Sequence, residues 1–195
     1  MSDTQKTKYP KTINKVHTKE YNTWYDMLRR CRSKKYKEKH PTYLNVDCCE
    51  EWLDYDNFYE WLHSQENFKI WNTLEYSALD KDIAIKNNKI YSPDTCFLVP
   101  KDINVIFTKN NRRRGDLPIG VYKYQGKYKA QCCDFNNKNQ RIYLGLFDDV
   151  NEAFCAYKIY KESMIKNIAL DEYEKGTITF ECYKAMCNYV VEKND

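Results

Sequence analysis

The strongest constraint on how this chain can fold is the parity of residues 118–157. Three short alternating stretches are separated by polar turns and followed by a segment of helical periodicity. In the third stretch, Arg141-Ile142-Tyr143-Leu144-Gly145-Leu146, the apolar Ile142, Leu144 and Leu146 share one side, and Arg141 and Tyr143 take the other, because strand side chains alternate. In the second, Lys127, Lys129, Gln131 and Cys133 oppose Tyr128, Ala130 and Cys132. Gln125-Gly126 and Asn136-Asn137-Lys138-Asn139 are turn chemistry, since Gly and Asn accept the positive φ of tight hairpins. Asp149-x-x-Glu152 then has the form of a capping box, in which side chains satisfy the free amides of a helix's first turn. Ala153, Ala156, Tyr157, Tyr160 and Met164 follow as a stripe able to cover the apolar face. The expectation is a three-stranded antiparallel sheet backed by one helix, with its other face wet, basic and aromatic.

Gly120-Val121, Lys127-Tyr128-x-Ala130, Arg141-x-Tyr143-Leu144-Gly145-x-Phe147 and Glu152-Ala153-x-x-Ala156-Tyr157 stand in an order and spacing that resembles the APETALA-type, or ethylene-response-factor, DNA-binding domain. The resemblance implies that the exposed sheet face enters the major groove of double-stranded DNA. It assigns contacts to Tyr122, Tyr124, Lys129, Gln131, Arg141 and Tyr143, and Lys127, on the same side of the second stretch, is a further DNA-binding candidate. Arg can bond guanine bidentately, Gln can pair with adenine, and Lys or Tyr can hold phosphate. The family usually carries arginines in its first strand where this chain has Tyr122 and Tyr124, so its base preference does not transfer.

The net charge of +4 conceals strong blocks. Residues 1–46 hold 12 Lys/Arg against 4 Asp/Glu and residues 47–107 hold 5 against 12. Residues 108–146 hold 9 against 2, and 147–195 hold 6 against 10. Two basic regions thus flank an acidic one, a distribution that suits a polyanionic partner. Arg112, Arg113 and Arg114 lead into the sheet, where a basic arm could lie along phosphates or reach a minor groove. Lys34, Lys35, Lys37 and Lys39 form a second basic run around Tyr36.

Composition bounds the class without naming it. There is no apolar run of membrane-spanning length and no signal-peptide pattern, so the expectation is a cytoplasmic protein with no membrane partner. Nine cysteines in such a chain read as reduced thiols rather than a disulfide scaffold. Cys31, Cys48, Cys49 and Cys96 are the set that could converge on zinc, although an adjacent pair such as Cys48-Cys49 seldom reaches one tetrahedral ion.

The N-terminal half follows another grammar. Tyr21, Trp24, Met27, Leu28 and Cys31 recur at helical spacing beside Arg29, Arg30 and Arg32, and Val46, Trp52, Phe58, Trp61 and Leu62 give a second helical aromatic set. Next come Leu79-Asp80-Lys81-Asp82-Ile83, Asn87-Asn88-Lys89, Tyr91-Ser92-Pro93-Asp94-Thr95-Cys96 and Val99-Pro100-x-x-Ile103-Asn104. They predict a strand, a polar turn, a Pro-punctuated loop and a short helix. Near the C-terminus, Thr179 is placed to cap a further helix through Tyr183, Met186 and Tyr189.

Together with Trp24-x-x-Met27-x-x-Arg30-Cys31, this segment resembles the phage branch of the HNH nuclease superfamily, whose ββα unit holds a metal. The resemblance implies a phage or mobile-element protein of a bacterial cell. Fusions of HNH units to APETALA-type domains are familiar among homing endonucleases. Cleavage of this kind needs a general base and a metal. Residues 79–107 contain no His, and the chain has only His17, His40 and His63. Asp80 and Asp82, hard carboxylates at i and i+2 of a strand, are the candidate Mg²⁺ ligands, and His63 is the candidate base. No other cofactor is expected.

The reading is therefore α+β. Residues 1–19 are a basic tail, 20–107 an HNH-like ββα-type unit with flanking helices, and 108–117 a basic linker. Residues 118–170 are the APETALA-type domain and 171–195 a helical extension. The expected function is DNA binding with the HNH-like unit catalytically inactive. The alternatives are a metal-dependent nicking or homing endonuclease, and an anti-defence protein that binds a host nuclease complex.

Overall fold

The structure, a computed structural model, describes residues 7–107, 116–135 and 140–195. It is an α+β arrangement of small sheets and helices, ending in a three-stranded antiparallel sheet that packs on a long helix.

Residues 7–17, read above as part of a tail, form a hairpin of β1 (Thr12–Ile13) and β2 (Val16–His17). Asp56 accepts the backbone amides of Lys8 and Tyr9, and Tyr55 Oη donates to Pro10 O at 3.1 Å. Helix α1 (Lys19–Arg32) opens with Thr18 accepting from Tyr21 N and closes with Arg29, Arg30 and Arg32, cations that suit the negative end of the helix dipole. A short α2 (Lys34–Lys39) and a 3-10 turn lead to β3 (Asp47–Cys48). The predicted aromatic set becomes a 3-10 turn carrying Trp52 and then α3 (Tyr55–Ser64), followed by α4 (Phe68–Thr73). Met27, Trp52, Phe58, Leu62 and Trp71 fill the first core. Such apolar burial contributes about 1.5–3 kcal/mol per large side chain.

The strand, turn and helix phrase appears as β4 (Ser77–Asp80), β5 (Ile90–Tyr91), β6 (Phe97–Pro100) and α5 (Lys101–Ile106). β4 pairs antiparallel with β6, from Ser77↔Pro100 to Asp80↔Phe97, whereas β5 pairs parallel with β3. Ile83, Val99 and Ile103 face away from the first core and join a second.

The C-terminal sheet comprises β7 (Val121–Tyr124), β8 (Lys127–Cys133) and β9 (Arg141–Phe147). Gln125 and Gly126 both take positive φ, as a two-residue hairpin with the right-handed twist of its strands demands. The Asn136 to Asn139 turn lies outside the described residues. Helix α6 (Val150–Glu174) begins as predicted, with Asp149 accepting from Asn151 N and Glu152 N. Ala153 and Tyr157 are buried against the sheet, with Ala156, Tyr160 and Met164 partly so.

One register expectation is corrected. β8 and β9 slip between Ala130 and Gln131: Ala130 opposes Gly145 while Gln131 opposes Tyr143, so Leu144 is an extra residue. The bulge reverses parity beyond it. Leu146 does not share the side of Ile142 and Leu144; it pairs with Lys129 and is 39% exposed, and Phe147 takes the inward place. Gly145, at φ 135°, is the residue that permits the slip.

Helix α6 also runs past residue 170. Its Ile165, Ile168 and Ala169 leave the sheet and bury in the second core with Ile83, Val99 and Ile103. Helix α7 (Phe180–Cys187), capped by Thr179 as expected, adds Cys182 and Met186 to that core. Residues after it return to the sheet: Val191 is buried beneath it and Ile119 N donates to Lys193 O at 3.0 Å. Among the described residues no helix is long and apolar enough to cross a membrane.

Candidate nucleic-acid interface

The outer face of the C-terminal sheet gathers the side chains that sequence parity put there. Register pairs Tyr122 with Lys129, Tyr124 with Lys127, Gln131 with Tyr143 and Cys133 with Arg141. Directly opposed residues of an antiparallel pair share a face, so Tyr122, Tyr124, Lys127, Lys129, Gln131, Arg141 and Tyr143 form one surface. The opposite face carries Val121, Ala130 and Cys132 into the core. Lys123, opposite Tyr128, is the exception, an exposed residue on the core-side face.

The outer surface is aromatic as well as basic. Tyr143 is 64% exposed, and Tyr122 and Tyr124 are 36% and 47% exposed. Lys129 Nζ stands 5.2 Å from the Tyr124 ring centroid, an arrangement that steadies a cation without neutralising it. Lys127 Nζ reaches Asp148 Oδ1 at 2.9 Å across an exposed rim. Such a surface pair is weak, worth about 0–1 kcal/mol, so Lys127 can exchange it for a phosphate oxygen. Leu146 is the member the sequence reading missed, and the signal was Gly145, since a glycine inside a strand often marks a bulge. Arg112, Arg113 and Arg114 lie outside the described residues.

The second candidate site is the groove at the end of β4, about 420 Å³ in volume and lined in part by Tyr43, Asp80, Lys81, Asp82, Lys89 and Asn104. Here the structure corrects the expectation that Asp80 and Asp82 share a strand face. β4 ends at Asp80, and the chain turns at once. Asp80 Oδ1 makes the turn by accepting Asp82 N and Ile83 N, both at 2.8 Å. Lys81 Nζ, itself buried, donates to Asp82 Oδ1 at 2.8 Å and Oδ2 at 2.7 Å and to Asn88 O at 2.6 Å. The two carboxylates are thus separated in role: one ties the backbone, and the other is held by an internal ammonium.

No imidazole lines this groove among the described residues. His63 is stacked between Tyr59 and Phe68, each at 3.9 Å between centroids, with Nε2 3.6 Å from Glu20 Oε1. His17 leans on Tyr21 and His40 on Tyr36. The structure does not bring His63 together with Asp80 and Asp82. The four cysteines singled out by sequence also divide. Cys31 and Cys48 meet beside Asp47, while Cys49 and Cys96 stay outside that group.

Burial pushes the Asp80 carboxyl up to about 6 from an ordinary 3.8, despite the two backbone amides that favour its ionised form. A raised folded value means that protonation favours folding. This contribution is complete below about pH 3.8 and is lost as pH rises through about 6. The difference corresponds to about 3 kcal/mol. Asp80→Asn keeps an oxygen for both amides and removes the buried charge. At pH 8 the variant should be more stable than the parent by about 2–3 kcal/mol, and at pH 4 nearly equal to it. Thermal melts across that pH range test this, and an Asn variant that is the less stable of the two at pH 8 would refute it.

No family model, curated protein or solved structure matches the chain.

Proposed function

We propose that this chain is a double-stranded DNA-binding protein that engages the duplex through the outer face of its C-terminal sheet, with the HNH-like half serving as scaffold rather than cutting centre. The observation that carries the reading is the co-facial set of Tyr122, Tyr124, Lys127, Lys129, Gln131, Arg141 and Tyr143 on a sheet whose other face is sealed by α6. A two- or three-stranded sheet can enter a major groove, where Arg and Gln read base edges and Lys and Tyr hold the backbone. The APETALA-type resemblance points to the same surface. The scaffold role is supported by the engagement of both groove carboxylates. Asp80 closes a turn, and Lys81 occupies both oxygens of Asp82 where a divalent cation would compete for them. In the phage setting that both resemblances imply, the cytoplasm of an infected bacterium is the place of action.

The test is fluorescence anisotropy of the full chain on labelled duplex over a salt series. Affinity should fall with a log-log slope steeper than about −2, and Lys127→Ala with Lys129→Ala should flatten that slope by about 2. Arg141→Ala should cost about 1–3 kcal/mol on a preferred site and narrow the gap between preferred and random DNA. Salt-independent binding, or no binding, sinks the proposal. Nicking of supercoiled plasmid with Mg²⁺ that disappears in Asp80→Ala would replace the scaffold role with a nuclease.

A further inference from the structure

The side chains of Cys31, Asp47 and Cys48 come together at the C-terminal end of α1. One ligand atom from each lies within 4.8 Å of the other two. Cys31 is the penultimate residue of α1 and Cys48 the second residue of β3, so two elements separated by a lysine-rich excursion meet at a pair of thiols. Both cysteines are almost wholly buried, whereas Asp47 is exposed. The site is therefore thiol-lined within and open to solvent on its carboxylate side.

The three side chains are held in place by their neighbours. The two thiols are hydrogen-bonded to one another. Arg32 Nη2 stands 3.2 Å from Asp47 Oδ1. Lys37 Nζ is anchored nearby on Leu44 O and Val46 O, at 3.2 and 2.9 Å. Asp47 Oδ1 also accepts Cys48 N at 2.8 Å, which orients the carboxylate from behind as outer partners of metal ligands do.

We infer that Cys31, Cys48 and Asp47 form a binding site for a thiophilic divalent cation, of which Zn²⁺ is the best fit. Two thiolates and one carboxylate match the ligand types that zinc prefers, and select against Mg²⁺ and Ca²⁺. Three protein ligands leave a fourth position for water. Binding forms two metal–sulfur bonds and one metal–oxygen bond, and it releases to solvent whatever protons the two thiols carry. The ion would clamp α1 to β3 and close the chain segment between them. The site is independent of the sheet face and stands or falls apart from DNA binding.

The full chain, reduced and freed of metal, should be titrated with Co²⁺ as the spectroscopic probe and then with Zn²⁺ in competition. The expected result is one equivalent of tight Co²⁺ with a thiolate-to-cobalt charge-transfer band and the visible bands of a tetrahedral ion, all erased by Zn²⁺. Cys31→Ser and Cys48→Ser should each abolish the band, and Asp47→Asn should weaken binding by more than the roughly 10–100-fold that loss of an outer partner costs. Cys96→Ser and Cys155→Ser should leave both band and affinity unchanged. Should a serine variant fail to fold, alkylation of the parent chain with and without Zn²⁺, read by peptide mass spectrometry, must show selective protection of Cys31 and Cys48. Absence of the band, its persistence without both thiols, full affinity in Asp47→Asn, or protection of other cysteines instead would overturn the site.

Discussion

Gly120→Ala should destabilise the C-terminal sheet by at least about 3 kcal/mol, the largest loss expected from adding a single methyl group to this chain. Gly120 sits at φ +76°, just before β7, and a Cβ there would fall 2.0 Å from Tyr157 Cδ2 and 2.3 Å from Cγ. Two costs combine. The left-handed backbone is strained for an L-residue by about 1–2 kcal/mol, and overpacking a tight core costs typically 1–3 kcal/mol more. The ring cannot step aside easily, because Tyr157 is buried among Val121, Ala130, Cys132 and Ala153. Gly120 O also accepts Gln131 N at 2.9 Å, so moving the backbone would break a bond that aligns β7 with β8. Against a total stability of about 5–15 kcal/mol, the change is severe. Chemical denaturation of Gly120→Ala beside Gly120→Ala/Tyr157→Leu measures it. The double variant should recover the steric part and keep the backbone part, and a single-variant loss below about 1 kcal/mol would disprove the account.

Such a dependence was partly legible in the sequence. Gly120-Val121 and Tyr157 belong to the alternating and helical patterns that predict a sheet on a helix, and that much of the fold is recovered element by element. What pattern alone could not supply was the slip at Leu144, because strict alternation assumes an unbroken ladder; Leu146 was therefore placed on the wrong face. The same limit applied to Asp82. A two-residue spacing puts two carboxylates on one face only while the strand continues, and β4 stops at Asp80, whose own side chain ends it. Cys31 and Cys48 illustrate the converse. Seventeen positions apart, they carry no local period that announces their meeting, which is set by how α1 packs on β3.

The organisation above the single elements was the least legible. A boundary near residue 170 follows from where the sheet-covering stripe runs out, yet α6 continues to Glu174 and exchanges one apolar face for another along its length. Its first half serves the sheet through Ala153 and Tyr157, and its second half serves the N-terminal half of the chain through Ile165, Ile168 and Ala169. A helix shared in this way fixes the outer sheet face relative to the groove at Asp80. In the proposed DNA complex, the scaffold thereby sets where the rest of the protein lies along the duplex once the sheet is seated.

Asn67→Asp should weaken that junction most sharply, by about 3–5 kcal/mol at neutral pH. Asn67 is 3% exposed and precedes α4. Its Nδ2 donates to Leu98 O in β6 at 2.9 Å and to Thr177 O, in the turn between α6 and α7, at 2.7 Å. One amide thus holds β6, the strand paired with β4, and the helical corner together. Its Oδ1 is buried with no hydrogen-bond partner among the described residues, so only the orientation that aims the donor at the two carbonyls is tenable. A carboxylate would turn a donor into an anion facing two acceptors in a dry site, where an uncompensated buried charge costs about 3–5 kcal/mol. Protonation removes that charge and restores one donor, so the folded-state value of the new acid must rise and the penalty must shrink as pH falls. Denaturant titrations of Asn67→Asp at pH 8 and pH 5 should therefore show a large deficit that narrows in acid. Asn67→Ala, which strands the two carbonyls without adding charge, should show a smaller deficit that does not change with pH. Equal losses for the two variants at both pH values would mean that the amide fills space at this junction without bonding across it.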